Sequence, residues 1–136
     1  MYFIKPQNSI AEIQPARGLD IRLGNGDWPG IALEEPSPDW SAYQNLVVEL
    51  TNPGNARLTL SIRVHDRVHT MEMDDRYTQR FELEPRSSKT LRIPVSAIRA
   101  APKTRRMDLS RIAGIIIFGS SPMAGYYFRL HEIRLE

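Results

Sequence analysis

The chain has 136 residues, 41% apolar, 8% aromatic and 25% charged, with 18 Lys+Arg against 16 Asp+Glu for a formal charge of +2. That apolar content suits one packed core rather than disorder, and no window approaches the ~18 consecutive apolar residues of a membrane-spanning helix. The absence of cysteine excludes disulfides, thiolate metal sites and a cysteine nucleophile, and a charge of +2 gives little electrostatic footprint for nucleic acid.

Met1-Tyr2-Phe3-Ile4-Lys5-Pro6 carries an apolar run too short for a signal-peptide core. An export signal would lie outside this chain, which is expected to be a piece of a longer protein. Ten Pro and eight Gly fall mostly between apolar stretches and cut the chain into strand-length segments. With no repeat and no linker-like tract, one domain over residues 1–136 is expected. Trp28 lies in Gly24-Asn25-Gly26-Asp27-Trp28-Pro29-Gly30, a loop in which a tryptophan either offers a stacking platform or folds back on the end of the fold. Trp40 follows the turn Pro36-Ser37-Pro38-Asp39 and precedes a strand.

Leu46, Val48 and Leu50 share one face, and Leu58, Leu60, Ile62 and Val64 alternate with Arg57, Thr59, Ser61 and Arg63. This is the period of two of half-buried strands. Asn52-Pro53-Gly54-Asn55 between them has turn chemistry, so Asn45 to Ile62 reads as an antiparallel hairpin. Gln79, Phe81 and Leu83 precede a turn at residues 85–88, and Leu91, Ile93 and Val95 return, which reads as a second hairpin. Helical character is confined to Asp108–Ala113, where Asp108 or Ser110 could cap. Ile115 to Phe118 is continuously apolar, as in a strand buried on both faces. Tyr126 and Tyr127 are expected to point to opposite faces, and the alternation slips parity between Leu130 and Ile133, which predicts a bulge. These elements together predict an all-β protein, an antiparallel β-sandwich with minimal helix.

Four stretches carry a family resemblance: Asp39-Trp40-Ser41-Ala42-Tyr43, Leu50-Thr51-Asn52-Pro53-Gly54, Leu91-Arg92-Ile93-Pro94-Val95-Ser96-Ala97-Ile98, and Met107-Asp108-Leu109-Ser110-Arg111-Ile112, closing on His131-Glu132-Ile133-Arg134-Leu135. Over roughly residues 19–136 this series resembles the galactose-binding-like jelly-roll carbohydrate-binding modules. The resemblance implies a jelly-roll sandwich, a packing aromatic at Trp40 and a short helical turn after the Ile-Pro strand. It also implies a structural Ca²⁺ near the first and last strands, for which Glu12, Asp20 and Glu132 are the available hard ligands. The ending His131-Glu132 departs from the Asp-Asn of that family, and no cofactor is expected. Arg63-Val64-His65-Asp66-Arg67-Val68-His69, with Asp75-Arg76-Tyr77 and Arg80, is similar to a pattern in a bacterial subgroup of domains appended to larger proteins.

Segment 65–80 is too polar for a core and is expected on a face or rim. His65, Asp66, Arg67, His69, Arg76 and Arg80 offer the donors and acceptors that bind vicinal hydroxyls, and Tyr77, His69 or Trp28 could stack on a sugar ring. The competing reading has Asp66 paired with Arg76 and Arg80, pinning a connection. His65 and His69, four apart on extended backbone, are too far separated to share zinc. Catalytic motifs are absent: no Gly-x-Ser-x-Gly, no phosphate-binding glycine loop, no His-Glu-x-x-His. Arg99, Lys103, Arg105 and Arg106, with Arg111 nearby, form a basic connection without interleaved aromatics; a solvated loop explains it as well as a nucleic-acid, anionic-lipid or polysaccharide contact does, and no nucleic-acid partner is expected. A non-catalytic module that binds a poly- or oligosaccharide follows, with no membrane insertion; the residues themselves give no location, and an extracytoplasmic one is expected only under that carbohydrate reading. The alternative is a structural or protein-interaction sandwich without glycan binding.

Overall fold

The computed structural model describes residues 3–7, 9–14, 18–24, 29–34, 39–68, 72–119 and 126–136. Trp28 and His69 lie outside them. The described strands are β1 (Phe3–Gln7), β2 (Ser9–Gln14), β3 (Gly18–Leu23), β4 (Gly30–Glu34), β5 (Asn45–Asn52), β6 (Leu58–Asp66), β7 (Tyr77–Leu83), β8 (Ser87–Pro94), β9 (Ile112–Gly119) and β10 (Tyr127–Leu135). They form two five-stranded sheets, ordered β1-β4-β9-β6-β7 and β2-β3-β10-β5-β8. Every pairing is antiparallel, so the architecture is the jelly-roll β-sandwich expected from strand periodicity and the family resemblance.

Between the sheets lie the inward residues of both. Leu58, Leu60, Ile62 and Val64 of β6 meet a core that includes Ile31, Leu33, Leu46, Val48, Leu50, Ile115, Ile117 and Phe128. Trp40 is 1% exposed, and its N–H donates to the Leu109 carbonyl at 2.7 Å. The predicted slip in β10 is a register shift between Leu130 and Glu132 against β5. It returns Ile133 and Leu135 to positions opposite Val48 and Leu46, so both halves of the strand keep an apolar side on the core.

Neither predicted hairpin forms. β5 pairs with β8 and β10, whereas β6 pairs with β7 and β9, so the chain crosses from one sheet to the other at residues 53–57. It crosses back between β7 and β8. A period of two reports that one side of a strand is buried, and turn residues report that the chain reverses. Neither tells whether the returning strand pairs beside its predecessor or faces it across the core. Asn52 holds the first crossing: its Nδ2 donates to the Ala56 carbonyl (2.7 Å) and the Leu83 carbonyl (3.1 Å), and its Oδ1 accepts from the Gly54 N–H (3.0 Å). The two crossings are joined by Arg86, which has φ 51°, donates its N–H to the Gly54 carbonyl and its Nε to Asn55 Oδ1.

The α-helix α1 occupies Val95–Ala100, directly after the Ile93-Pro94 pair, as the resemblance implies. Asp108–Ala113 is not helical: Asp108 Oδ1 accepts from the Ser110 N–H and hydroxyl in a tight turn, and the chain enters β9 at Ile112. A short polar side chain that bonds its own backbone two residues on favours a turn over a helix start. The adjacent tyrosines also differ from expectation. Tyr127 lies half-buried on the outer side of its sheet with the Arg22 guanidinium 5.6 Å over its ring, Tyr126 is exposed, and Phe128 takes the core position.

Two glycines in the first sheet test this register. A Cβ at Gly30 would stand 2.0 Å from the Ile117 carbonyl oxygen, whereas one at Gly114 would press on the end of the His65 ring, 2.8 Å from Cε1, and touch the Leu33 carbonyl oxygen at an ordinary 3.5 Å. The first obstacle is backbone in a sheet and cannot turn away; the second is a side chain that can. Gly30→Ala is therefore expected to cost about 1–3 kcal/mol and Gly114→Ala less than about 1 kcal/mol. Thermal melts of the two variants check the order, and a reversed order would contradict the β4–β9 register.

Candidate functional site

Segment 65–80 divides into an internal knot and an outer face. Asp66 ends the inward row of β6 and is fully buried. Its carboxylate accepts from Arg105 Nη1 (2.7 Å) and Nη2 (2.9 Å) and from the Asp108 N–H (2.8 Å). Arg105 Nε donates to Asp75 Oδ1 at 2.7 Å. Burial pushes the Asp66 carboxyl up, but the hydrogen bonds from Arg105 and the Asp108 N–H, with the Arg105 charge, outweigh it and hold the group below the usual carboxylate range. Hydrogen bonds to Asp66 and Asp75 push Arg105 up. The expected partners Arg76 and Arg80 take no part, and Asp66 does not reach a binding surface. Within the basic connection, Lys103 pairs with Asp74 and Arg111 with Asp108.

Tyr77 is half-buried and packs against the core, opposite Val64, with its hydroxyl donating to Gln79 Oε1. Burial raises its pKa. An inward tyrosine offers its ring to neighbours across the sandwich rather than to a sugar. Arg67 lies exposed in the turn after β6, with its N–H donating to the Arg111 carbonyl.

His65, Arg76 and Arg80 remain on the outer side of the first sheet. The pairs Arg63↔Thr78 and Ser61↔Arg80 join β6 to β7, and Ser61↔Phe118, Arg63↔Ile116 and His65↔Gly114 join β6 to β9. The pairs Ala32↔Ile116 and Gly30↔Phe118 extend the face to β4. One half of this surface is therefore a polar double row of Ser61, Arg63, His65, Thr78 and Arg80. The other is a strip made of Ile116, Phe118, Ala32 and two glycines. Ile116 and Phe118 are half-buried, and the His65 ring lies over Gly114.

The outer sides of the two sheets differ in one respect. On the second sheet Arg129 pairs with Asp20 (2.6 Å), Arg92 with Glu136, and Arg134 with Glu132 (2.9 Å) and Glu49 (3.4 Å). Val47 is fully buried at a register between Arg92 and Arg134. His131 Nε2 and the Ser88 hydroxyl both bond the Thr51 hydroxyl. Two of the three carboxylates that the resemblance would assign to calcium thus hold guanidinium groups, Asp20 with Arg129 and Glu132 with Arg134. On the first sheet, no carboxylate among the described residues pairs with Arg63, Arg76 or Arg80, and the Nε atoms of Arg63 and Arg76 are buried without a hydrogen-bond partner. Burial lowers the Arg63 pKa, and the Arg76 charge lowers it further.

Arg63, Ser61, Ile116 and Phe118 were not singled out by the sequence reading. The alternation in residues 57–64 already turned Arg63 and Ser61 outward, whereas nothing in an unbroken apolar run separates the outward Ile116 and Phe118 from the inward Ile115 and Ile117.

No family model and no curated protein matches this sequence. Among solved structures the fold is similar to part of an agarase, AgWH50C, at a TM-score of 0.76 and 14% identity, covering 98% of this chain. This chain spans 22% of the length of that agarase. It is also similar to a family 11 carbohydrate-binding module from Clostridium thermocellum, in complex with a beta-1,3-1,4-mixed-linked tetrasaccharide, at a TM-score of 0.65 and 16% identity over 99% of this chain and 82% of that one. A family 29 carbohydrate-binding module from Piromyces equi matches at a TM-score of 0.58 and 9% identity over 98% of this chain and 78% of that one. The chain thus has the jelly-roll fold of carbohydrate-binding modules.

Proposed function

We propose that this chain is a non-catalytic carbohydrate-binding domain that holds a poly- or oligosaccharide against the outer side of the β1-β4-β9-β6-β7 sheet. The contrast between the two outer surfaces carries this reading. On one, Arg92, Arg129 and Arg134 are held by carboxylates; on the other, Arg63, Arg76 and Arg80 have no carboxylate partner among the described residues and stand next to an apolar strip. A sugar ring presents both hydroxyls and an axial C–H face, so it suits a surface with hydrogen-bond donors beside apolar carbon. Phe118 and Ile116 supply the carbon, while Ser61, Arg63, Thr78 and Arg80 supply hydrogen bonds to hydroxyls. A polysaccharide ligand places the domain outside the cytoplasm, as one part of a longer chain. The agarase and the carbohydrate-binding modules of the same fold support this reading.

The Asp66-Arg105-Asp75 knot favours a second role for the same segment, that of an internal staple. The two roles involve different side chains and so separate cleanly. In titrations of the whole chain against agarose, mixed-linked glucan and acidic oligosaccharides, Arg80→Ala and Phe118→Ala are expected to weaken binding about tenfold. Arg80 is exposed, and Arg80→Ala is expected to leave the melting temperature unchanged. Unaltered affinity in both folded variants, or no binding of any glycan, would leave only the structural role.

A further inference from the structure

We infer that the glycan bound on this face is anionic, carrying sulfate ester or carboxylate groups that Arg63, Arg76 and Arg80 receive. The inference rests on the carbohydrate-binding reading and specifies its substrate class.

Arg63 on β6 faces Thr78 on β7, and Arg80 is the next outward residue of β7, opposite Ser61. Arg76 precedes Tyr77, whose side chain packs against the core, so the alternation of β7 places Arg76 in the same outward series as Thr78 and Arg80. Three guanidinium groups thus line two adjacent strands. The carboxylates of this surface lie at its margins: Glu82 is tied to Arg57, and Glu34 sits across β9 from His65, since both pair with Gly114.

Partly buried like charges destabilise a fold unless something of opposite sign completes them. Elsewhere this protein supplies that partner, with Asp20 for Arg129, Glu136 for Arg92, and Asp66 and Asp75 for Arg105. Here no carboxylate among the described residues pairs with Arg63, Arg76 or Arg80, and the Nε donors of Arg63 and Arg76 have no hydrogen-bond partner there. Neutral hydroxyls would satisfy single N–H groups but leave the charges uncompensated. A sulfate or carboxylate presents several oxygens and a full negative charge, which suits the fork of a guanidinium. A nucleic acid also offers anionic oxygens, but Phe118 and His65 carry the only aromatic rings among the described outward residues of β4, β6, β7 and β9, too few for a run of stacked bases.

The test titrates the whole chain with length-matched neutral agarose oligosaccharides, sulfated galactan oligosaccharides, oligogalacturonates and a single-stranded oligonucleotide, at rising salt. Variants are Arg63→Gln, Arg80→Gln and, as a charge control away from the face, Arg106→Gln. One or both anionic glycans are expected to bind at least tenfold tighter than the neutral one, with sulfate and carboxylate arms telling which group is preferred. Arg63→Gln and Arg80→Gln are expected to remove that preference, and Arg106→Gln to retain it. If the neutral glycan binds as tightly as the anionic ones, the inference fails and the carbohydrate reading stands. If no glycan binds, the reading itself fails. Equal losses in all three variants, or tighter binding of the oligonucleotide, would overturn the inference in favour of general polyanion attraction.

Discussion

Arg105→Met is expected to destabilise the fold by about 3–5 kcal/mol, the usual cost of leaving a buried charge without its partner. The Asp66 side chain is fully buried, Arg105 is 26% exposed, and the two join through two hydrogen bonds. Methionine keeps the apolar stem but removes the donors, so Asp66 retains only the Asp108 N–H, and Asp75 loses Arg105 Nε. The loss depends on pH. Asp66 in the folded protein titrates below its ordinary value, so its contribution is full above the unfolded carboxyl pKa of about 3.9 and disappears as pH falls through the lower folded value. In the variant, burial acts without the guanidinium and pushes the same carboxyl up. The deficit is therefore largest near neutrality and narrows as pH falls from the variant's raised carboxyl pKa through the wild type's lowered one. Denaturant melts of wild type and variant at about pH 7 and about pH 3 measure this difference. A deficit that stays constant between them would assign the loss to packing rather than charge.

Trp40→Ala is expected to cost about 3–5 kcal/mol, the range for deleting a buried aromatic side chain where the surroundings relax only in part. Trp40 is one of the largest fully buried side chains. It stands at the chain's entry into β5, where its main-chain N–H donates to the Leu109 carbonyl and its main-chain carbonyl accepts from the Tyr43 N–H, bonds that the alanine variant keeps. The void would open in the core to which Val95, Ile98, Met107 and Leu109 also belong. A fall in melting temperature of roughly 10–20 °C follows for a chain of this size, with Trp40→Phe recovering part of it. A change within about 2 °C would mean that Trp40 is not a core anchor.

These two sites show different degrees of legibility in the sequence. Trp40 was readable as core because the resemblance to the jelly-roll modules puts a packing aromatic between a Pro-rich turn and the first long alternating strand. The Asp66 partner was not readable, since Arg105 lies 39 residues away. Arg76 and Arg80, much nearer in sequence, share the outer side of β7 instead. An ion pair is selected by which ends of the sandwich meet. Spacing along the chain carries no trace of that choice.

The candidate face shows the same division. Alternation along residues 57–64 assigned Arg63 and Ser61 an outward direction without telling which sheet they belonged to or what lay beside them. Two alternating segments joined by Asn52-Pro53-Gly54-Asn55 satisfy their periodicity equally well as neighbours or as partners across a core, and this chain adopts the second arrangement. The strands from Asn45 onward, the bulge in β10 and the sandwich class were therefore determined by local pattern, because one side of every strand must leave water, whereas β1 to β4 left no such reading. Only the tertiary structure decided which strands pair, which arginines find carboxylates and which are left to face a ligand. Those outcomes depend on contacts made after the sheets close on one another.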